Sequence, residues 1–180
     1  PQLDSYISGV ILTSETAEQK IQGRNYVEYL TNRGIIPGVK ADLGQVKLQG
    51  SDETTTLGIE GLHERLNDLY KKGLRFAKWH MLFKIGENLP SFIAVEKNAE
   101  LAAGFAKECQ LAGLVPMVES DILYDGDYSI ERSIEVTDRV LTVVFDKLAE
   151  RRVDLAGCIL KTNMVMAAKD AVAPTTPREV

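Results

Sequence analysis

The feature that most constrains this chain is a regular alternation of short apolar runs with amphipathic segments, marked by ionisable residues at nearly constant spacing. Lys40, Lys78, Glu119 and Lys161 each fall within or just after an apolar run of strand length, and they stand 38, 41 and 42 residues apart. Strand followed by helix, repeated, calls for a parallel sheet with helices outside it, because each parallel pair needs a long crossover. Carboxyl ends of parallel strands are where α/β proteins place their chemistry. Charges that only end strands would be an ordinary solvated feature. Three lysines and a glutamate in phase point to a site.

The expected strands are residues 9–12, entered through the apolar Tyr6-Ile7, then 35–39 ending at Lys40, 76–79, 114–118 ending at Glu119, and a run ending at Lys161. Helical periodicity predicts helices over 25–33, closed by Gly34, and over 57–72, with Ile59, Leu62, Leu66 and Leu69 on one face and Gly73 after it. Two longer helices follow. Residues 91–111 carry Val95, Ala99, Ala102 and Ala106 inward, and residues 127–151 carry Ile130, Ile134, Leu141, Val144 and Leu148. Residues 41–56 read as a long loop of the kind that carries function.

The fold class is therefore α/β. Five units do not close an eight-stranded barrel, which takes roughly 250 residues. A partial (β/α)8 TIM barrel of about five β/α units is expected, as a single domain over 1–180 that is a fragment of a larger barrel. An open doubly wound sheet is the alternative, and no glycine-rich phosphate loop of either common pattern is present to support nucleotide binding. The ends agree with a fragment. The chain starts at Pro1, and Thr176-Pro177-Arg178-Glu179 reads as a helix start with Thr176 as N-cap and Glu179 as its capping-box partner.

Composition narrows the function classes. With 44% hydrophobic and 26% charged residues and a net charge of −5, the sequence suits a soluble globular domain and gives no basis for nucleic-acid or membrane binding. No apolar run approaches the ~20 residues of a membrane helix. Cys109 and Cys158 lie in apolar stretches and read as free thiols in a reducing, cytoplasmic compartment. Two histidines, His63 and His80, are too few and too far apart to build a metal site with those thiols, so neither metal nor cofactor is expected.

Lys161 then becomes the centre of the reading. A lysine at the end of an apolar strand can be held partly away from water, which disfavours its ammonium form and frees the amine to attack a carbonyl. The product is a Schiff base. The alternative is a strand-end lysine pointing into solvent, which is the commoner fate of lysines.

Taken in order, Gly9-Val10-Ile11-Leu12, Gly38-Val39-Lys40-Ala41-Asp42, Glu53-Thr54-Thr55-Thr56 with Gly58 and Gly61, Phe76-Ala77-Lys78-Trp79, Lys84-Ile85-Gly86-Glu87, Val118-Glu119, Asp125-Gly126-Asp127 and Leu160-Lys161 with Asn163-Met164-Val165 resemble the central half of a class I fructose-1,6-bisphosphate aldolase. The resemblance covers essentially all 180 residues. It implies a metal-independent, cytoplasmic lyase of glycolysis and gluconeogenesis on a (β/α)8 barrel, assembled as a homotetramer and acting on phosphorylated ketoses and trioses. By the same resemblance Lys161 is the Schiff-base lysine and Glu119 the acid/base at the carbinolamine. Lys78 is the cation that stabilises developing negative charge, and Lys40 and His80 are substrate-binding. Asp121, two residues past Glu119, is expected to orient one of the lysines.

Four positions depart from the family pattern. Thr162 replaces a proline, His80 an arginine, Ser120 a proline and Asp121 a glutamate. An imidazole does not reproduce an arginine fork to a phosphate. Two alternatives follow: a Schiff-base aldolase with another substrate, or a non-catalytic binding module. The family's Asp-Glu-Ser segment, Ser-Gly-Gly phosphate loop, later phosphate-binding arginine and C-terminal tail would all lie outside these 180 residues, so this chain alone is not expected to turn over.

Overall fold

The computed structural model describes residues 3–21 and 23–180. After a 3-10 turn, the chain forms β1 (Gly9–Leu12), α1 (Ser14–Glu18), β2 (Lys20–Ile21), β3 (Arg24–Asn25), α2 (Tyr26–Thr31) and β4 (Ile36–Lys40). It continues through β5 (Gln45–Lys47), β6 (Thr54–Thr56), α3 (Leu62–Lys71), β7 (Phe76–Phe83), α4 (Phe92–Leu111), β8 (Val115–Ile122), α5 (Ile130–Glu150) and β9 (Ile159–Thr162). Five strands form one parallel sheet in the order β1-β4-β7-β8-β9. Each main strand lies beside the next in sequence, without the reversal of order that defines a doubly wound sheet. This is an open arc of a (β/α) barrel.

Strand pleating divides the sheet into two faces. On β7, Ala77, Trp79, Met81 and Phe83 are buried against the helical layer, while Lys78, His80 and Leu82 alternate with them on the other face. Trp79 stacks on Phe105 of α4, with ring centroids 5.1 Å apart. Ala99, Ala102, Ala103 and Ala106 are fully buried, and their small side chains let α4 lie close to the sheet. Ser91 caps α4, its hydroxyl accepting from the Ala94 N–H at 3.1 Å. On the opposite face Phe76 lies over the neighbouring strand at Gly38, where any Cβ would overlap its ring.

Several expectations are corrected. Tyr6 is 84% exposed and the first strand starts only at Gly9, where pairing with Ile36 begins. The loop over 41–56 holds an antiparallel hairpin, β5 against β6. The helix expected from 57 starts at Leu62, because Gly58 and Gly61 take positive φ and turn the backbone first. β7 and β8 each run four residues past the expected ends, β7 through the buried Met81 and Phe83 and β8 through Glu119-Ser120-Asp121-Ile122. In α5 the buried stripe is Ser133, Val136, Thr137, Val140, Val144 and Leu148, while Ile134 is exposed. Thr176 and Glu179 make the capping-box bond, Thr176 N–H to Glu179 Oε2 at 2.8 Å, on a turn rather than a helix.

Candidate active site

The pleat puts the charged landmarks on one face. Lys40 pairs with Lys78 in register, and Glu119 pairs with His80 on one side and Lys161 on the other. Lys78 is opposite Met117, one step below Glu119, so its long arm reaches up along the sheet. The two amines converge on one carboxylate: Lys78 Nζ donates to Glu119 Oε2 and Lys161 Nζ to Glu119 Oε1. The side chains of Glu119 and Lys78 are 7% and 15% exposed, whereas that of Lys161 is 47% exposed.

Burial alone would raise the Glu119 carboxyl. The hydrogen bonds from Lys161 and Lys78, together with the charges of Lys78 and His80, outweigh it and hold the group below the usual carboxylate range. Glu119 is thus the anionic hinge of a three-charge cluster that carries one net positive charge. A proton lost from either lysine makes the cluster neutral.

The shielding expected around Lys161 is absent in this chain. β9 is an edge strand, and Ile159 and Leu160 are about two-fifths exposed.

The remaining site residues are placed differently from expectation. Lys40 lies on the same face, but its ammonium is held by Asp42, whose side chain is fully buried and also accepts from the Gly44 N–H at 3.1 Å. Asp121 does not orient a lysine: its Oδ2 lies 3.0 Å from His80 Nε2. The His80 carbonyl accepts from Gln45 Nε2 and from the Thr56 hydroxyl, both at 2.7 Å. Asn98 of α4, fully buried, anchors the hairpin by accepting from Thr56 N–H and donating to the Thr54 carbonyl at 2.8 Å. Asp42, Gln45, Thr56 and Asn98 are supports that the sequence reading missed as such. Only the β-branched run Thr54-Thr55-Thr56 signalled a strand there.

One ring nitrogen of His80 and one oxygen each of Glu119 and Asp121 lie within 4.8 Å of one another, the donor set of a cation site. Glu119 is already neutralised by two ammonium groups, and these repel a divalent ion from the same point. Cys109 and Cys158 are free, and burial pushes both thiols up, the first one strongly. No described helix is long and apolar enough to cross a membrane.

A parallel (β/α) arc with a lysine pair on one carboxylate at its strand ends places the chain among the (β/α)-barrel proteins. The family model for class-I fructose-bisphosphate aldolase (glycolytic) matches residues 1–180, and the chain belongs to that family. It is 44% identical over 182 residues to a probable fructose-bisphosphate aldolase class 1 of Xanthomonas campestris pv. campestris, covering 100% of this chain and 54% of that protein. It is 46% identical over 167 residues to a fructose-bisphosphate aldolase of Echinococcus multilocularis, covering 92% and 46%. A Plasmodium falciparum fructose-bisphosphate aldolase, solved in complex with TRAP and a small-molecule inhibitor, matches with a TM-score of 0.94 at 42% identity over 98% of this chain and 52% of its own. The chain spans about half the length of these relatives.

Proposed function

We propose that the protein containing this chain is a metal-independent lyase that cleaves fructose 1,6-bisphosphate reversibly to dihydroxyacetone phosphate and glyceraldehyde 3-phosphate through a Schiff base on Lys161. The observation that carries the reading is the sharing of Glu119 by Lys161 and Lys78. Glu119 touches the Lys161 amine and is placed to take a proton from it, which leaves a nucleophilic amine. Lys161 then attacks the ketone carbon. Glu119 returns the proton it took from Lys161 to the carbinolamine hydroxyl, which leaves as water, and the resulting protonated imine accepts the electron pair as the adjacent carbon–carbon bond breaks. Lys78 stays charged and stabilises the negative charge that develops. Lys40 and His80 are assigned to substrate phosphate or hydroxyl groups, Lys40 by exchanging Asp42 for the incoming anion.

The whole protein is proposed to be a cytoplasmic homotetramer, in line with relatives named cytosolic in Arabidopsis thaliana and cytoplasmic in Pisum sativum. His80 favours one second reading, a Schiff-base aldolase with another substrate, because an imidazole grips a phosphate less well than an arginine fork. Steady-state turnover of the full encoded protein in excess EDTA separates the two. A higher kcat/KM for the bisphosphate than for the 1-phosphate or unphosphorylated ketoses supports the first, and the reverse order supports the second.

A further inference from the structure

We propose that Asp42 is a built-in competitor for the Lys40 amine, an internal anion that a substrate must displace, so that Lys40 takes only a ligand with the charge of a phosphate. The inference deepens the reading above and rests on it. Lys40 stands at the end of β4 with its side chain 35% exposed, while the side chain of Asp42, two residues on, is fully buried. Asp42 Oδ1 accepts from Lys40 Nζ and from the Gly44 N–H at 3.1 Å. Its Oδ2 is buried and has no hydrogen-bond partner. The carboxylate therefore depends on Lys40 for its counter-charge. Drawing that amine away leaves a buried anion with one backbone N–H, which is costly.

The placement is built rather than incidental. The Ala41 N–H donates to the Lys78 carbonyl at 2.9 Å, which holds the chain against β7 up to Asp42. Leu43 N–H to the Leu57 carbonyl and Leu57 N–H to the Gly44 carbonyl, each at 2.9 Å, close the neck of the β5–β6 hairpin just behind it. Gly44 takes a φ of +97°, a turn that a residue without Cβ makes freely, and its N–H meets Asp42. Among the described residues, the other basic groups assigned to this site are tied to other carboxylates, Lys78 and Lys161 to Glu119 and His80 to Asp121. Lys40 is thus the amine that can be lent to a substrate without disturbing Glu119.

Exchange sets a threshold. A ketose hydroxyl is neutral and cannot draw an ammonium off a carboxylate. A monocarboxylate offers no more charge than Asp42 does and leaves Asp42 unpaired. A phosphate monoester carries about −1.5 to −2 near neutrality with three acceptor oxygens, and Lys40 passes to it as a charge-assisted donor. Asp42 thereby lowers the affinity for every anion alike, which leaves phosphates bound and sugar acids excluded.

The test is binding and turnover in the full encoded protein with Asp42→Asn, which keeps an acceptor for the Gly44 N–H and removes the charge. KM for fructose 1,6-bisphosphate and the calorimetric dissociation constant of inorganic phosphate are each expected to fall about tenfold or more, while KM for unphosphorylated fructose stays where it was. Gluconate, a sugar monocarboxylate, is expected to inhibit the variant at concentrations that leave the wild type untouched. In Lys40→Gln/Asp42→Asn, phosphate binding is expected at or below the wild-type level, because the gain passes through the amine. Asp42→Ser, which leaves room for a water, is the second variant should Asn not fold. Unchanged or weaker phosphate binding in a folded Asp42 variant shows that Asp42 only holds Lys40 in place and overturns the inference. A gain that persists without Lys40 overturns it too, as does gluconate inhibiting wild type and variant alike. Borohydride trapping distinguishes the two levels: a parent protein that forms no adduct on Lys161 sinks the underlying function, while one that traps and gains no phosphate affinity in Asp42→Asn sinks the competitor alone.

Discussion

Glu119 sits opposite Lys161 across the β8–β9 ladder and binds that amine with one carboxylate oxygen while its other oxygen binds Lys78. A single carboxylate therefore pairs with both lysines, and most consequences of the proposed chemistry run through it.

Replacing it is the first test. Glu119→Gln keeps the shape and removes both the counter-charge and the proton donor. The expected result in the full protein is a fall in kcat of about 10²–10⁴-fold, with KM changed far less. A stopped-flow assay should place the loss in carbinolamine dehydration.

Glu119 also gives a sign for acid stability. Its carboxyl is held below the ordinary range in the fold, against about 4.3 in an unfolded chain. The stabilisation is present above the unfolded value and is lost as pH falls through the folded one. Denaturant midpoints measured from pH 6 down to 3 should fall, and the slope should be shallower in Glu119→Gln.

Lys78→Met removes one of the two cations while preserving most of the side chain's packing. Lys161 then has Glu119 to itself, and the cation assigned to the developing negative charge is gone. kcat of the full protein should fall about 10²–10³-fold, while borohydride trapping of Lys161 persists. An unchanged kcat would show that Lys78 takes no part in the chemistry.

Gly38→Ala tests the packing under the site. The added methyl overlaps the nearly buried Phe76 ring, which must shift to make room. A loss of about 1–3 kcal/mol is expected, read as a lower denaturation midpoint.

Asn98→Ala should unmoor the hairpin. It removes a buried side chain that accepts from Thr56 and donates to Thr54, leaving backbone groups unpaired at about 1–3 kcal/mol. Faster amide exchange over residues 45–56, with the α4 core still protected, is the expected signature.

The sequence made the strands' order and the lysine–glutamate face readable because apolar runs and pleat parity survive in one dimension. Lys40, Lys78, Glu119 and Lys161 were found by spacing, and the pleat does put them on one face. Their pairing was not readable, because register between strands is set by packing. His80 is the register partner of Glu119, and Lys78 reaches the same carboxylate from two residues below. Asp121 was expected to orient a lysine, and its partner is His80. The β5–β6 hairpin escaped notice because each strand has three residues and a polar pattern, with no apolar alternation to detect. In α5, Ile134 outranks Val136 in hydrophobicity, but the valines at 136, 140 and 144 form the stripe that meets the sheet.

The most direct measurement is borohydride reduction of the full encoded protein in the presence of dihydroxyacetone phosphate, followed by peptide mass spectrometry. The expected result is one stable adduct per chain on Lys161, lost in Lys161→Met. An adduct on Lys78 or elsewhere, or no adduct at all while the protein still turns over, would contradict the role given to the amine at the end of β9.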